Sequence, residues 1–264
     1  MDTIEAIILG IVQGLTEFLP VSSSGHLQIA KALMGVEIDQ TLLFDVTLHA
    51  ATVLSTIVVL WSEVARLLRG LFSRRFNEEQ AYVLKLLLSM SPIGIVGFTL
   101  KDRLDALLES PAILLVVGCM LLVTAALLAF AYYAKPRQKA QLSYRDAFLI
   151  GVAQAVAALP GLSRSGSTIA TGLLLGNRKQ TVAQFSFLMV LAPILGETFL
   201  ELMKGNLGAQ AIGSAPLAAG FVAAFVVGCL ACKFMIEIVK RGKLVWFALY
   251  CAAAGTVSIL SYVL

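Results

Sequence analysis

Charged side chains are scarce in this sequence: Asp, Glu, Lys and Arg together make up 14% of its 264 residues, where soluble domains carry about 25%. Hydrophobic residues reach 59% and the mean hydropathy is +0.89. A soluble globular domain is excluded on that balance, and a polytopic membrane protein is expected. Polar linkers and low-complexity stretches are lacking, so residues 1–264 read as a single integral membrane domain. No basic residue precedes Lys31, while Asp2 and Glu5 do, so no cleavable signal is expected. The four cysteines fall in apolar runs, and Cys229 and Cys232, although spaced as CxxC, have no polar ligands beside them and read as packing residues. The net charge of +4 sits in short loops between apolar runs. That placement points to orientation in a membrane and away from nucleic acid.

Six apolar runs are long enough to span, since about 20 residues at ~1.5 Å rise cover ~30 Å of hydrocarbon. They lie near Leu42–Trp61, Tyr82–Leu100, Ala112–Tyr133, Val182–Met203, Ala215–Ile238 and Leu244–Val263. Two further pairs are too short. Ile4–Leu19 and Leu27–Val36 are divided by a Pro/Ser/Gly knot, as are Ala147–Leu159 and Ser167–Gly176. Short paired segments of this kind read as broken helices that dip in and return, and irregular backbone at that depth must line protein or a wet cavity. The expected fold is an all-α polytopic membrane protein of two inverted-topology repeats, about 1–133 and 142–264. Each repeat is a re-entrant broken-helix hairpin plus three transmembrane helices, and three being odd, the second copy is inverted. With this topology Arg66, Arg69, Arg74, Arg75, Arg145, Arg178, Lys179, Lys240, Arg241 and most other basic residues share one side, leaving Lys31, Lys101, Arg103 and Lys204 opposite. The basic side is expected to be cytoplasmic, with both termini and the first knot facing outward.

The hairpins are copies of each other. QGLTEFLPVSSSGH at Gln13–His26 aligns with QAVAALPGLSRSGST at Gln154–Thr168 at a constant offset of 141 residues, as from Gln13 to Gln154. Ser22, Ser24, Gly25 and Gly35 match Ser163, Ser165, Gly166 and Gly176. The copies differ where chemistry is available: Glu17 faces Ala158, Ser23 faces Arg164 and His26 faces Ser167. One composite site drawn from both copies explains that asymmetry.

Glu17 is an ionisable group within an apolar segment, a functional candidate by default. Gln13, four residues earlier, shares its helix face, and the two oxygens suit a hard cation such as Mg²⁺ or Ca²⁺. Ser22, Ser23, Ser24 and Gly25 precede a return helix whose free N–H groups and dipole favour an anion. Ser163, Arg164, Ser165 and Gly166 repeat the arrangement and add a guanidinium suited to forked phosphate contacts, with Thr168 a further donor. Two such helix starts facing each other read as a diphosphate site. His26 is placed to take or deliver a proton, and Ser23 is a nucleophile if a base activates it; which of them attacks, or whether water does, stays open. His49 reads as a helix-packing residue.

These residues resemble the BacA-type undecaprenyl pyrophosphate phosphatase family of bacitracin-resistance proteins. The family's [E/Q]xxxE motif is similar to Gln13–Glu17 and leads into FLPVSSSGH at Phe18–His26; PGxSRSGxT is matched by Pro160–Thr168. FDVxLH at Phe44–His49, Pro92 with Gly97, and FSFL at Phe185–Leu188 also fit, so the resemblance covers essentially the whole chain. It implies hydrolysis of undecaprenyl diphosphate to undecaprenyl phosphate and inorganic phosphate in the plasma membrane. That reaction recycles the cell-wall lipid carrier, and its overproduction brings bacitracin resistance. It further implies an outward-facing site, a divalent cation, membrane-lipid partners and no nucleic acid; a homodimer stays open. Gln13 in place of the family's alternative Glu leaves any metal site one carboxylate poorer. Ser24-Gly25-His26 is also similar to part of the type-2 phosphatidic acid phosphatase motif, but Ser163-Arg164 is followed six places on by Ala170 where that family needs His. The rival from another class is a membrane transporter or flippase of polyprenyl phosphate on the same inverted-repeat fold.

Overall fold

A computed structural model describes residues 1–36, 42–108, 110–134, 139, 141–191, 193–196 and 212–263. Among these the chain is helical, with no strand beyond an isolated bridge between Lys139 and Asn177. The first hairpin is α1 (Thr3–Thr16) and α2 (Ser23–Met34); α3 (Leu42–Val59), α4 (Trp61–Leu71), α5 (Glu78–Thr99), α6 (Lys101–Leu108) and α7 (Ile113–Tyr133) come after it. The second hairpin is α8 (Tyr144–Val156) and α9 (Arg164–Leu174), succeeded by α10 (Lys179–Met189), α11 (Ser214–Arg241) and α12 (Val245–Val263).

Four of the described helices, α5, α7, α11 and α12, are long and apolar enough to cross a membrane, in accord with four of the six expected runs. The run at Leu42–Trp61 is helical from Leu42 to Val59 and continues into α4 after an 80° bend, the two together being long and apolar enough to cross a membrane. The cause lies in the residues after Leu60: Glu63, Arg66 and Arg69 crowd α4, and Arg66 pairs with Glu63 and Glu79 at 2.9 Å. Charges this closely spaced disfavour a straight continuation of α3 through hydrocarbon. The run at Val182–Met203 begins earlier, in α10, and its stretch beyond residue 196 lies outside the described residues.

The return helices also begin earlier than the apolar runs suggest, at Ser23 and Arg164, so both residues stand in the first turn. Capping is the reason. Ser22 Oγ accepts from Gly25 N at 3.3 Å and Ser163 Oγ accepts from Gly166 N at 3.0 Å, satisfying free donors of each helix start. At the other ends, Gly35 (φ 68°) and Gly176 (φ 85°) supply left-handed backbone that an L side chain adopts only at a cost.

Packing exchanges partners between the halves. α1 lies along α11, and α8 lies along α5, while α7 and α12 pair with each other. The matched glycines Gly10 and Gly151 permit this. A Cβ on Gly10 would fall 2.5 Å from Gly220 O, and one on Gly151 would fall 2.2 Å from Ser89 O. Lys31, with its side chain 1% exposed, meets Asp45 at 2.6 Å and ties α2 to α3. The largest buried cluster, with Phe18, Ile150, Ile169, Phe185, Phe187 and Met235, joins residues of both halves beneath the hairpin tips.

Candidate active site

The two hairpin tips touch. Ser165 Oγ donates to Leu19 O at 3.1 Å, and the first tip is held from behind by Cys251 Sγ on Pro20 O at 3.4 Å. Thr124 of α7 holds the second tip by accepting from Ser163 N at 3.1 Å. Both serine pairs are tied in the same way, Ser22 to Ser24 and Ser163 to Ser165, each at 3.3 Å between hydroxyl oxygens. One difference separates the copies: Ser22 has φ 71°, the one described non-glycine residue in that region, whereas Ser163 has φ −69°.

Glu17 stands at the junction, its side chain 4% exposed. One carboxylate oxygen pairs with the Arg164 guanidinium across the two hairpins. The other accepts from Ser23 Oγ at 2.8 Å and from Gln13 Nε2 at 3.0 Å. His49 of α3 brings Nε2 to 3.9 Å of that same oxygen. A carboxylate this enclosed needs its charge met, and the guanidinium supplies the largest share. Residues 147 apart in sequence thus share one hydrogen-bonded cluster.

Ser23 and His26 do not pair with each other in the described contacts. Ser23 takes Glu17 as acceptor. His26 puts Nδ1 2.8 Å from Ser22 O, and Nε2 2.6 Å from the Tyr250 hydroxyl on α12. The Thr168 hydroxyl donates back into its own helix, to Arg164 O at 3.0 Å, and steadies α9 more directly than it faces a ligand. Gly25 and Gly166 are buried where the tips approach closely: a Cβ on Gly166 would fall 3.2 Å from Pro20 Cβ and one on Gly25 3.5 Å from Gly161 Cα. His49, Thr124 and Tyr250 join the site without being sequence candidates for it. His49 carries a signal, as one of two histidines and the end of the FDVxLH run; Tyr250 and Thr124 carry none, each being one polar group in an apolar helix.

Gln13 Oε1 is buried and meets no donor, although the amide's nitrogen is bound to Glu17. An oxygen left unpaired beside a carboxylate suits a hard cation, whose other ligands would be water and phosphate oxygens. No cluster of three or more His, Cys, Asp or Glu exists among the described residues; at the tips, Gln13 Oε1 and the Glu17 carboxylate are oxygens that could hold a cation. A cleft beside them is lined by Glu17, Arg164, Ser165, Thr52, Thr56 and Ser186, and its volume of about 10 Å³ admits roughly one water. With Arg164 closed on Glu17, the cleft is too small for a diphosphate.

Known proteins are similar to this chain over almost its whole length. Residues 6–257 match the family described as bacitracin resistance protein BacA. The chain is 62% identical over 262 residues to the undecaprenyl-diphosphatase of Parabacteroides distasonis, 98% of each chain being covered. It is 60% identical over 262 residues to that of Bacteroides fragilis, again with 98% of each covered. Identity is 34% over 280 residues to the undecaprenyl-diphosphatase of Methanosphaera stadtmanae, at 98% coverage of both.

Proposed function

This chain belongs to the bacitracin resistance protein BacA family, and from that premise and the tip geometry we infer that it is an undecaprenyl-diphosphatase. It hydrolyses undecaprenyl diphosphate to undecaprenyl phosphate and inorganic phosphate, returning the lipid carrier to cell-wall synthesis. The observation that carries the reading is the contact from Ser23 to Glu17 at 2.8 Å, with Arg164 on the other carboxylate oxygen. Nucleophile, base and phosphate-binding cation stand in one cluster.

In the first step the diphosphate draws Arg164 from Glu17 and docks against the two helix starts, where Ser22, Ser24, Ser163 and Ser165 offer hydroxyls, while Gly25 and Gly166, whose N–H groups are held by the Ser22 and Ser163 caps, add no side chain to the approach. Ser23 Oγ attacks the terminal phosphorus and gives its proton to Glu17. The phosphoanhydride bond breaks, and undecaprenyl phosphate leaves with the bond's electrons. Arg164 neutralises the charge that develops on the equatorial oxygens. In the second step water attacks the phosphoserine, Glu17 returns its proton to Ser23 Oγ, and His26 accepts the proton lost by water. Ser23 is favoured over His26 as nucleophile because Ser23 has a carboxylate base, while both His26 nitrogens are engaged elsewhere. A divalent cation, Mg²⁺ or Ca²⁺, would be held by Glu17 and Gln13. When bound it supplies charge neutralisation for the phosphate oxygens.

The exchanged packing of α1 with α11 and α8 with α5 supports two inverted repeats, about 1–133 and 142–264. The bias of basic residues supports a plasma-membrane orientation with the hairpin tips toward the outer face. The transporter reading uses the same fold but gives the Ser23–Glu17 contact no task. Phosphate release from a prenyl diphosphate by the purified, detergent-solubilised protein tests the reading. Turnover lost in Ser23→Ala, with phosphoserine trapped in the native protein, is expected. Full turnover in well-folded Ser23→Ala would overturn the assignment of the nucleophile.

A further inference from the structure

His26 has no counterpart in the second hairpin, where Ser167 stands instead, and its ring is held from two sides by different parts of the chain. Ser22 O lies 2.8 Å from Nδ1 and also accepts from the His26 N–H at 3.2 Å. The carbonyl that receives both belongs to the residue with φ 71°. Residues in sparsely populated backbone regions persist where surrounding structure over-determines them, often at functional sites. A carbonyl oxygen only accepts, so Nδ1 carries hydrogen. In the neutral ring Nε2 is then the bare nitrogen, and the group facing it at 2.6 Å, the Tyr250 hydroxyl, must be the donor.

Tyr250 arrives from α12, 224 positions away. Its ring stacks nearly parallel to the imidazole, 20° between planes and 5.6 Å between centroids. Tyr250 is 48% exposed, more open than the enclosed Glu17. Among the described contacts it is the one titratable group on His26. α7 presents apolar Val117 to the neighbouring Gly25, and the charges at the tips, Glu17 and Arg164, are paired with each other.

We propose that Tyr250 is the relay partner of His26: it holds the ring in the Nδ1–H tautomer and passes the proton between Nε2 and the half-exposed outer edge of the site. The step balances. As water attacks the phosphoserine, its oxygen bonds to phosphorus, the P–Oγ bond to Ser23 breaks with Oγ taking back the proton held by Glu17, and the proton lost by water goes to the Tyr250 oxygen. The Tyr250 hydroxyl proton moves to Nε2 of His26. The imidazolium then donates Nε2–H back to the same hydroxyl, which releases a proton to bulk water, and both groups return to their starting states. A hydroxyl serves because it donates to the neutral ring and accepts from the charged one without moving. The proposal rests on His26 being an acid–base group of the phosphatase.

Two readouts test it. The chain has two histidines, so ¹⁵N-histidine NMR of the full-length protein in detergent resolves His26 against His49, assigned with His26→Gln. The native ring is expected to show a protonated Nδ1 and a bare Nε2, and Tyr250→Phe, which keeps the aromatic packing, should mix the tautomers. Steady-state phosphate release from a prenyl diphosphate is then compared in the native protein, Tyr250→Phe, His26→Gln and the double variant. Tyr250→Phe should lower kcat about fivefold to tenfold at nearly constant KM, as loss of one hydrogen bond at a transferring proton implies. It should lower it no further in the His26→Gln background. An equal loss in both backgrounds would overturn the relay and leave Tyr250 a packing residue. So would an unchanged kcat in Tyr250→Phe where His26→Gln is impaired. Full activity in His26→Gln would overturn the prior assignment of His26, a failure separable from that of Tyr250.

Discussion

Glu17→Gln separates binding from chemistry, because the closed tip gives Glu17 a part in each. In the native protein the guanidinium proposed to receive the diphosphate is occupied by Glu17, whose side chain is 4% exposed. Substrate therefore competes with a charge-assisted contact. Such contacts contribute about 1.5–3 kcal/mol, and each 1.4 kcal/mol is tenfold in an equilibrium constant. Removing the negative charge should free Arg164 and strengthen binding of a non-hydrolysable prenyl diphosphonate about tenfold, measured by titration calorimetry in chelator so that metal ligation by Glu17 does not enter. The same substitution removes the base for Ser23, and general base catalysis accounts for about 10²–10⁴ in rate. Phosphate release should fall by that factor. A variant that binds the analogue more weakly in chelator, or that keeps native kcat, would refute the competition argument or the base assignment respectively. The near-isosteric amide keeps acceptors for Ser23 and Gln13, so folding should survive; a melting curve checks this.

Arg164→Ala removes the cation at the developing charge, and by analogy with oxyanion donors should cost about 2.7–4 kcal/mol of barrier, read as a fall in kcat of about 10²–10³ with Arg164→Lys in between. Gln13→Leu should raise the divalent-cation concentration for half-maximal activity, and Gln13→Glu should lower it; identical metal titrations would remove Gln13 from the ligand set. Gly151→Ala sets a Cβ 2.2 Å from Ser89 O, an overlap against backbone that should cost about 1–3 kcal/mol of stability, visible as a lower melting temperature in detergent. Asp146 sits at the mouth of the second hairpin, outside the spanning segments. Burial opposes its charge, but hydrogen bonds from Lys139, Asn177 and Ser143 outweigh it and hold its pKa below the usual carboxylate value. A depressed carboxylate stabilises the fold above its unfolded pKa of about 3.9 and loses that contribution as pH falls through the lower folded value. Melting of the native protein should therefore drop more steeply than that of Asp146→Asn as pH is lowered below about 4.

Local sequence carries the parts of this protein that depend on local physics. The membrane class comes from composition, and four spans come from uninterrupted apolar length. The paired hairpins come from an internal repeat whose Ser-x-Ser-Gly starts cap their helices in the same way in both copies. The meeting of the two copies is legible too, because Glu17, Ser23 and Arg164, which share one hydrogen-bonded cluster, fall where the copies disagree. Apolar length places the return helices three or four residues too late, since Ser23 and Arg164 are polar and hydropathy does not register a capped first turn. The bend after Val59 escapes it for a related reason. Apolar length marks where a span could run, whereas the charged face of α4 makes it turn.

Pairing is decided by packing. Ser23 stands three residues before His26, yet its partner is Glu17, because the tip folds back to bring the end of α1 beside the start of α2. His26 finds its partner on α12, and Arg164 finds Glu17 across the other half of the chain. Hydrogen bonds need donor and acceptor within about 3 Å and in line. Periodicity and spacing determine only which face of a helix a residue occupies. Distance between faces is set by the glycine-lined approach of α1 to α11 and α8 to α5, and that approach exists only once both halves have folded against each other.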